Sequence, residues 1–419
     1  MATVSRQLPP RPHLGVPKRE ARELLAHWRE GRPEALERAR HQHPEFNATT
    51  ETAPPIVTFT LHDAQRVIAR EYGFAHWTAM KQRIAGASGV GALQDAIENG
   101  DRETVVTILR ANPEMLHLPV WSGNWGPPMS HAANLGRLEI IRAVAELGAR
   151  DHQHAFDRAV LQGQIESARW LHAHGAKLEF GIIMGACETL NVDGFKFLLE
   201  LGAPLVNEHG DRLAPLALVI ETYGRRPVGK HAILELFAAQ GYALPDTPMM
   251  AFHRGDLARL REHLREDPQL LERRFRLREI YPPECGCSND GRSGLHWTPI
   301  DGSTLLHLAI DFWEREIFEW LLAERADVNA RALIDSEGFG GHTPLFNAVV
   351  AHPGNDPTFA AALLAGGASR DTRASLRKFL DWCEQPRWHK ARNVTPAEWA
   401  RTFPERGWIN QAALELLGT

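Results

Sequence analysis

Leu138-Glu139-Ile140-Ile141 through Ala145-Glu146-Leu147-Gly148-Ala149 opens the series that decides the fold. The Gly-Ala step that closes this run returns at Gly175-Ala176 and at Gly202-Ala203, 27 residues apart each time. A helix-like apolar run precedes each return: Ile165 to Trp170-Leu171, then Phe195 to Leu198-Leu199-Glu200-Leu201. Another glycine, Gly136 or Gly163, stands 12 residues before each of the first two steps. A fixed period of this size marks a stacked solenoid, in which each unit buries its apolar face only against its neighbours. The expected fold class is therefore all-α, built from helix pairs.

Better-preserved copies lie further along. Ser303-Thr304-Leu305-Leu306-His307-Leu308-Ala309 opens one unit, which ends in Trp320-Leu321-Leu322-Ala323-Glu324-Arg325-Ala326-Asp327-Val328-Asn329-Ala330. The next opens with His342-Thr343-Pro344-Leu345-Phe346-Asn347-Ala348 and ends in Leu363-Leu364-Ala365-Gly366-Gly367-Ala368. Weaker copies begin at Ala92-Leu93, Pro128-Met129, Phe156-Asp157, Ala214-Pro215 and Thr247-Pro248. These motifs resemble the ankyrin repeat, T-P-L-H-x-A-A-x-x-G followed by a helix ending L-L-x-x-G-A. The resemblance implies an ankyrin-repeat solenoid of about eight helix-pair units over residues 89–372, with helical caps at both ends and two long inserted loops.

The motif has a mechanical basis. Thr at the helix start caps free backbone N–H groups, and Pro beside it fits the first turn. Glycine after a helix permits the left-handed turn into the next element. Leu190 stands where such a glycine is expected, and Asp157 and Gln94 replace the motif histidine. The 27-residue spacing is also shorter than the family's ~33, which predicts almost no hairpin finger between Gly136 and Gly202.

Composition fits one elongated body. Apolar residues make up 43% and charged residues 24%, ordinary for a globular chain. A net charge of −5 argues against nucleic acid or an anionic membrane as partner. Four cysteines make no disulfide framework, and no apolar run is long enough to span a membrane. The expected address is the cytoplasm.

Residues 1–88 read as a different module. Leu24, Leu25, Trp28 and Leu36 follow helical spacing, and Leu61 to Tyr72 forms a second amphipathic run stopped by Gly73. This leader, with its Ala69-Arg70-Glu71-Tyr72-Gly73-Phe74 stretch, is similar to those of bacterial ankyrin-repeat proteins. It is read as an N-terminal cap rather than a DNA-reading helix-turn-helix, because only Lys81, Gln82 and Arg83 stand where a reader helix needs polar side chains. Residues 373–419 are read as a helical C-terminal cap.

Two excursions interrupt the pattern. The first, from about Arg274 to Gly302, carries Phe275, Tyr281, Cys285-Gly286-Cys287 and His296-Trp297. The second runs from Asp327 to His342 and carries Asp335-Ser336-Glu337-Gly338-Phe339. Loops this long in an ordered body commonly carry function. Together with the shorter Trp121–Gly126 loop they suggest a groove whose binding residues are Trp121, Trp125, Trp297, Phe339 and Asn347. Were the chain an enzyme, Asp301, Asp311, Asp335 and Glu337 would supply carboxylates, with His307 or His342 as proton carrier.

Other chemistries find little support. Cys285 and Cys287 are closer in sequence than structural zinc ligands. The pairs His152/His154 and His172/His174 fall at opposite ends of a repeat, with the first pair expected before its first helix. No nucleotide-binding, metalloprotease or nucleophile-elbow motif occurs, so neither a metal nor a cofactor is expected. The reading is a protein-interaction scaffold that binds through the concave, loop-bearing face. A small-molecule binder or hydrolase with a carboxylate/His site under the two loops is the alternative.

Overall fold

The computed structural model describes residues 6, 8, 14–42, 59–87, 90–120, 124–288, 296, 298–350, 355–380, 387–403 and 409–418. The fold is mostly helical. The chain divides into two compact units, Met1–Ala159 with Glu166–Ala176, and Val160–Ile165 with Lys177–Thr419.

In the first unit, the chain first forms helices Gly15–Arg29, Pro33–Gln42, Leu61–Glu71 and Trp77–Ala87. Their apolar stripes close on one another in a cluster that includes Leu24, Ala39, Val67, Ile68 and Met80. Thr60 starts the third helix by accepting a hydrogen bond from the Asp63 N–H, and Asp63 accepts one from the Thr60 N–H. This reciprocal box satisfies two otherwise orphaned donors. Arg38 locks the cluster's polar rim by donating to both oxygens of Glu71, at 2.7 and 2.8 Å.

From residue 90 the chain lays down helix pairs. Val90–Asn99 with Arg102–Ala111 and Pro128–Asn134 with Leu138–Glu146 lie in the first unit. His152–Leu161 and Ile165–Ala173 follow, so His152 and His154 sit within the first turn of a helix rather than before it. In the second unit come Ile182–Glu188 with Val192–Glu200, Ala214–Glu221 with Pro227–Ala239, and Pro248–His253 with Leu257–Glu266. Leu305–Asp311 with Arg315–Ala323 and Pro344–Ala348 with Thr358–Ala365 complete the series.

The Gly-Ala steps turn as their sequence predicts, with Gly148, Gly175 and Gly202 all at positive φ. Leu190, at the position expected for glycine, adopts φ 54° although it carries a side chain, and it is buried. Left-handed backbone costs a branched residue energy, so packing around Leu190 must hold the turn.

The C-terminal segment departs from the expected helical cap. Ala374–Leu380 (β1) and Arg387–Val394 (β2) form an antiparallel two-stranded sheet, and the short helices Pro396–Arg401 and Gln411–Leu416 follow. Ala374, Leu376 and Leu380 alternate inward along β1, the period of a strand with one buried face. The hairpin continues a ladder of finger loops: Phe275 bridges Ser303, Ile334 bridges Gly340, and Gly340 bridges Ser375 on β1. The all-α expectation therefore holds for the helix pairs and fails at this end, where the edge left by the last finger is capped by a strand.

Candidate functional site

The described residues of the first excursion, 274–288, 296 and 298–302, fold onto the helices. Short helical turns at Leu277–Ile280 and Pro283–Cys285 bury Phe275, Ile280, Tyr281, Cys285 and Cys287. The segment runs along the first helices of successive pairs. The Ser288 N–H donates to Glu221 at 2.7 Å, the His253 ring donates to the Ile280 carbonyl at 2.7 Å, and Thr298 Oγ1 donates to the Phe346 carbonyl at 3.2 Å. Trp399, from beyond the hairpin, donates its indole N–H to Thr298 at 3.3 Å.

A buried polar chain lies under this insert. His296 sits between Tyr281, whose hydroxyl meets Nε2, and Asp311, whose Oδ2 meets Nδ1. Arg225 closes the set by donating Nε to the Asp311 carbonyl at 2.5 Å and Nη2 to Asp311 Oδ2 at 3.2 Å. Asn347 Nδ2 lies 3.5 Å from the other carboxylate oxygen. Burial pushes the His296 pKa down to about 4 against the opposing pull of Asp311, so the ring is neutral. Neutral His296 then donates from Nδ1 to Asp311 and accepts the Tyr281 proton at Nε2.

A second buried pair adjoins it. Lys230 Nζ donates to His253 Nδ1 at 2.7 Å and stands 4.4 Å from the centre of the Phe312 ring. Burial draws the Lys230 ammonium down to about 7 and holds His253 well below its ordinary value. These groups are interior to the second unit: Tyr281 and His253 are fully buried, and His296 and Lys230 nearly so. The arrangement fixes the insert to the helices, and partnering offsets part of the cost of burying these polar groups.

The residues nominated from sequence fall into distinct settings. Asp311 and Asn347 join the buried chain. His307 takes the role usual for a motif histidine, accepting from the Thr304 hydroxyl at 2.8 Å and donating Nε2–H to the His342 carbonyl at 3.2 Å. His342 is buried 5.4 Å from that ring, and burial lowers its pKa to about 4 although the Pro299 carbonyl opposes the shift. Asp301 accepts the Leu277 N–H at 2.8 Å and pairs with Arg276, which makes it a helix-start residue. Asp335 and Glu337 both pair with Arg377, at 2.8 and 2.7 Å. Burial raises Asp335, but the N–H groups of Phe339 and Glu337 and the Arg377 guanidinium hold it below the carboxylate range.

Phe339 is buried between guanidinium groups of the hairpin, with Arg377 4.8 Å and Arg392 4.2 Å from its ring centre. In the first unit, half-buried Trp125 lies 5.0 Å from the His131 ring. There Ser130 donates its hydroxyl to Asp151 at 2.5 Å and accepts from His154 Nδ1 at 2.9 Å. Since Ser130 is fully buried and already bonded at both positions, this set is a structural tie and not an accessible nucleophile. Trp121 and Trp297 lie outside the described residues.

The insert's pairing of His296 with Asp311 escaped sequence reasoning because no motif spacing joins them. An open cleft of about 750 Å³ beside the insert, lined by Asp246, Arg259, His263, Arg273, Glu279 and Glu284 among others, contains none of the nominated residues. Among the described residues, no group of three or more His, Cys, Asp or Glu side chains is placed to hold a metal. No helix among them is long and apolar enough to cross a membrane.

Exposed apolar side chains do gather on the finger side of the second unit. Phe180 is 61% exposed and packs beside Gly210, Leu213 is 39% exposed against Gly286, and Leu333 against Gly302 is followed by Ile334 at 61%. No curated protein matches the chain. The crystal structure of the human ASB11 ankyrin repeat domain aligns over 78% of this chain and 96% of its own, at 14% identity and a TM-score of 0.20. The ankyrin repeat family model matches residues 301–333, the helix pair whose first helix supplies His307 and Asp311.

Proposed function

We propose that this protein is an interaction scaffold that docks a protein partner on the finger side of its second unit. The observation that carries the reading is the run of exposed apolar tips at Phe180, Leu213, Leu333 and Ile334. Ankyrin repeats are generally protein-interaction modules, and one is matched at residues 301–333. The insert bonds to the first helices at Glu221, His253 and Phe346, and the reading therefore places the partner on the tips rather than on those helix faces. Large apolar groups held on a rigid frame lose water on docking and little conformational freedom, which is what an anchor needs. The bacterial setting expected from the N-terminal segment and the cytoplasmic address expected from composition belong to the same reading.

A photo-crosslinking amino acid at Ile334 should capture a defined partner in the source cell, whereas the same group at exposed Glu316 on a second helix should not. Leu333→Ser with Ile334→Ser should abolish that capture and leave the helical signal intact. An unchanged partner set after the double substitution would place the docking surface elsewhere.

A further inference from the structure

The strand β2 ends the ladder of fingers, and among the described residues nothing pairs with its outer side. It pairs with β1 alone, and no backbone hydrogen bond ties its far side to any other described residue. Its sequence, Arg387-Trp388-His389-Lys390-Ala391-Arg392-Asn393-Val394, holds three lysine or arginine side chains and no acid. Arg387, Lys390 and Arg392 are all exposed, and none has a carboxylate partner among the described residues. The neighbouring cations differ: Arg373 is paired with Glu398, and Arg377 with Asp335 and Glu337.

The two faces of the sheet are also unlike. Leu376, Leu380 and Ala391 face inward, and His389 packs on Phe403 at 4.6 Å. Register pairs Phe379 with Trp388 and Arg377 with Lys390, which puts these four on the outer face. Trp388 is 49% exposed there, with its ring 5.3 Å from Phe379 and 5.6 Å from the Arg377 guanidinium.

We propose that the open edge of β2 takes up an extended acidic segment of a partner protein as a third strand, with Trp388 as its apolar anchor and Arg387, Lys390 and Arg392 as its charge complement. Strand addition obtains affinity from main-chain hydrogen bonds and specificity from alternate side chains. Exposed edges are usually blunted by charge, and lysines and arginines on β2 do repel a second copy of themselves. The same cations attract a strand of opposite sign, so the edge is selective rather than closed. A nucleic acid is the less favoured occupant, because the protein carries a net charge of −5 and a sugar-phosphate chain cannot satisfy a row of N–H and C=O groups. The proposal is independent of docking at the finger tips.

The test uses the full chain and a fluorescein-labelled peptide of about ten residues alternating Glu and Val, a length matched to strand addition. Fluorescence anisotropy at low salt should show binding, and a Lys-Val peptide of equal length should not bind. Two peptides N-methylated at alternate amides, in opposite phase, should differ, one losing binding and the other keeping it. Arg387→Glu with Lys390→Glu should weaken binding by about tenfold or more with an unchanged circular dichroism spectrum, and Trp388→Ala should weaken it as well. The proposal is overturned if the acidic peptide fails to bind, if both methylated peptides bind equally, or if the substitutions leave affinity untouched. Preference for a labelled single-stranded oligonucleotide over the peptide would also overturn it. So would self-association of the charge-reversed variant when the unaltered protein binds no peptide, since the cations would then only guard the edge.

Discussion

The two excursions look equivalent as sequence, and the structure gives them opposite fates. The segment from Arg274 to Gly302 buries Phe275, Ile280, Tyr281, Cys285 and Cys287 and ties His296 to Asp311. The segment from Asp327 to His342 is a finger whose tip, Asp335 to Gly338, is exposed and whose acids pair with Arg377 at the surface. They touch where the Leu333 N–H donates to the Gly302 carbonyl at 2.9 Å and Arg274 donates to the Arg331 carbonyl at 3.1 Å. The difference lies in what each offers to bury. Aromatic and sulfur-bearing side chains every few residues pull the first onto the helices, whereas Asp-Ser-Glu-Gly cannot repay its own desolvation.

That contrast can be broken at Asp311. Asp311→Ala leaves the Arg225 guanidinium, 13% exposed, beside a neutral histidine without its carboxylate, so it should destabilise the second unit by about 2–4 kcal/mol and loosen the insert. Urea denaturation of the full chain and limited proteolysis within residues 274–302 would report it. Stability within about 0.5 kcal/mol of the unaltered protein would mean that the charge network adds nothing to the packing that holds the insert.

Acid gives a second, smaller handle. Burial lowers His296 and His342 from 6.5 to about 4, and His253 and His307 also fall well below their ordinary value. A histidine whose folded pKa is depressed binds its proton more readily when unfolded. Its stabilising contribution is thus complete above pH 6.5 and is lost as pH falls from 6.5 towards 4. All four residues lie in the second unit, so amide hydrogen exchange across that window should rise there before it rises in the first unit. Simultaneous loss of protection in both units would contradict the assignment.

The smallest effect is expected at the finger. Asp335→Asn keeps the oxygen that accepts the Glu337 and Phe339 N–H groups, both 2.9 Å away, and loses only the exposed pair with Arg377. Stability should change by less than about 1 kcal/mol. A larger loss in the same denaturation experiment would show that the finger, too, is fastened by charge.

How much of this could be read beforehand depends on the range of the interaction. Gly148, Gly175 and Gly202 could be placed because a left-handed residue after a helix is a local demand. His307 could be placed because its partners, Thr304 and the start of the next unit, recur with the motif. The hairpin was within reach, since Ala374, Leu376 and Leu380 alternate, but Lys378 at a buried position broke the apolar pattern and disguised the strand. The Tyr281–His296–Asp311–Arg225 chain joins residues from three segments with no shared spacing.

By itself, then, the sequence determined the helix pairs, their turns and the positions of the excursions, because periodicity and turn chemistry act between residues a few places apart. Only the tertiary structure decided which excursion would bury its aromatic side chains, that Asp311 would meet His296, and that the C-terminal segment would form a strand pair. Those outcomes depend on which surfaces the neighbouring units leave uncovered, and on whether a buried charge finds its partner there, which no local pattern records.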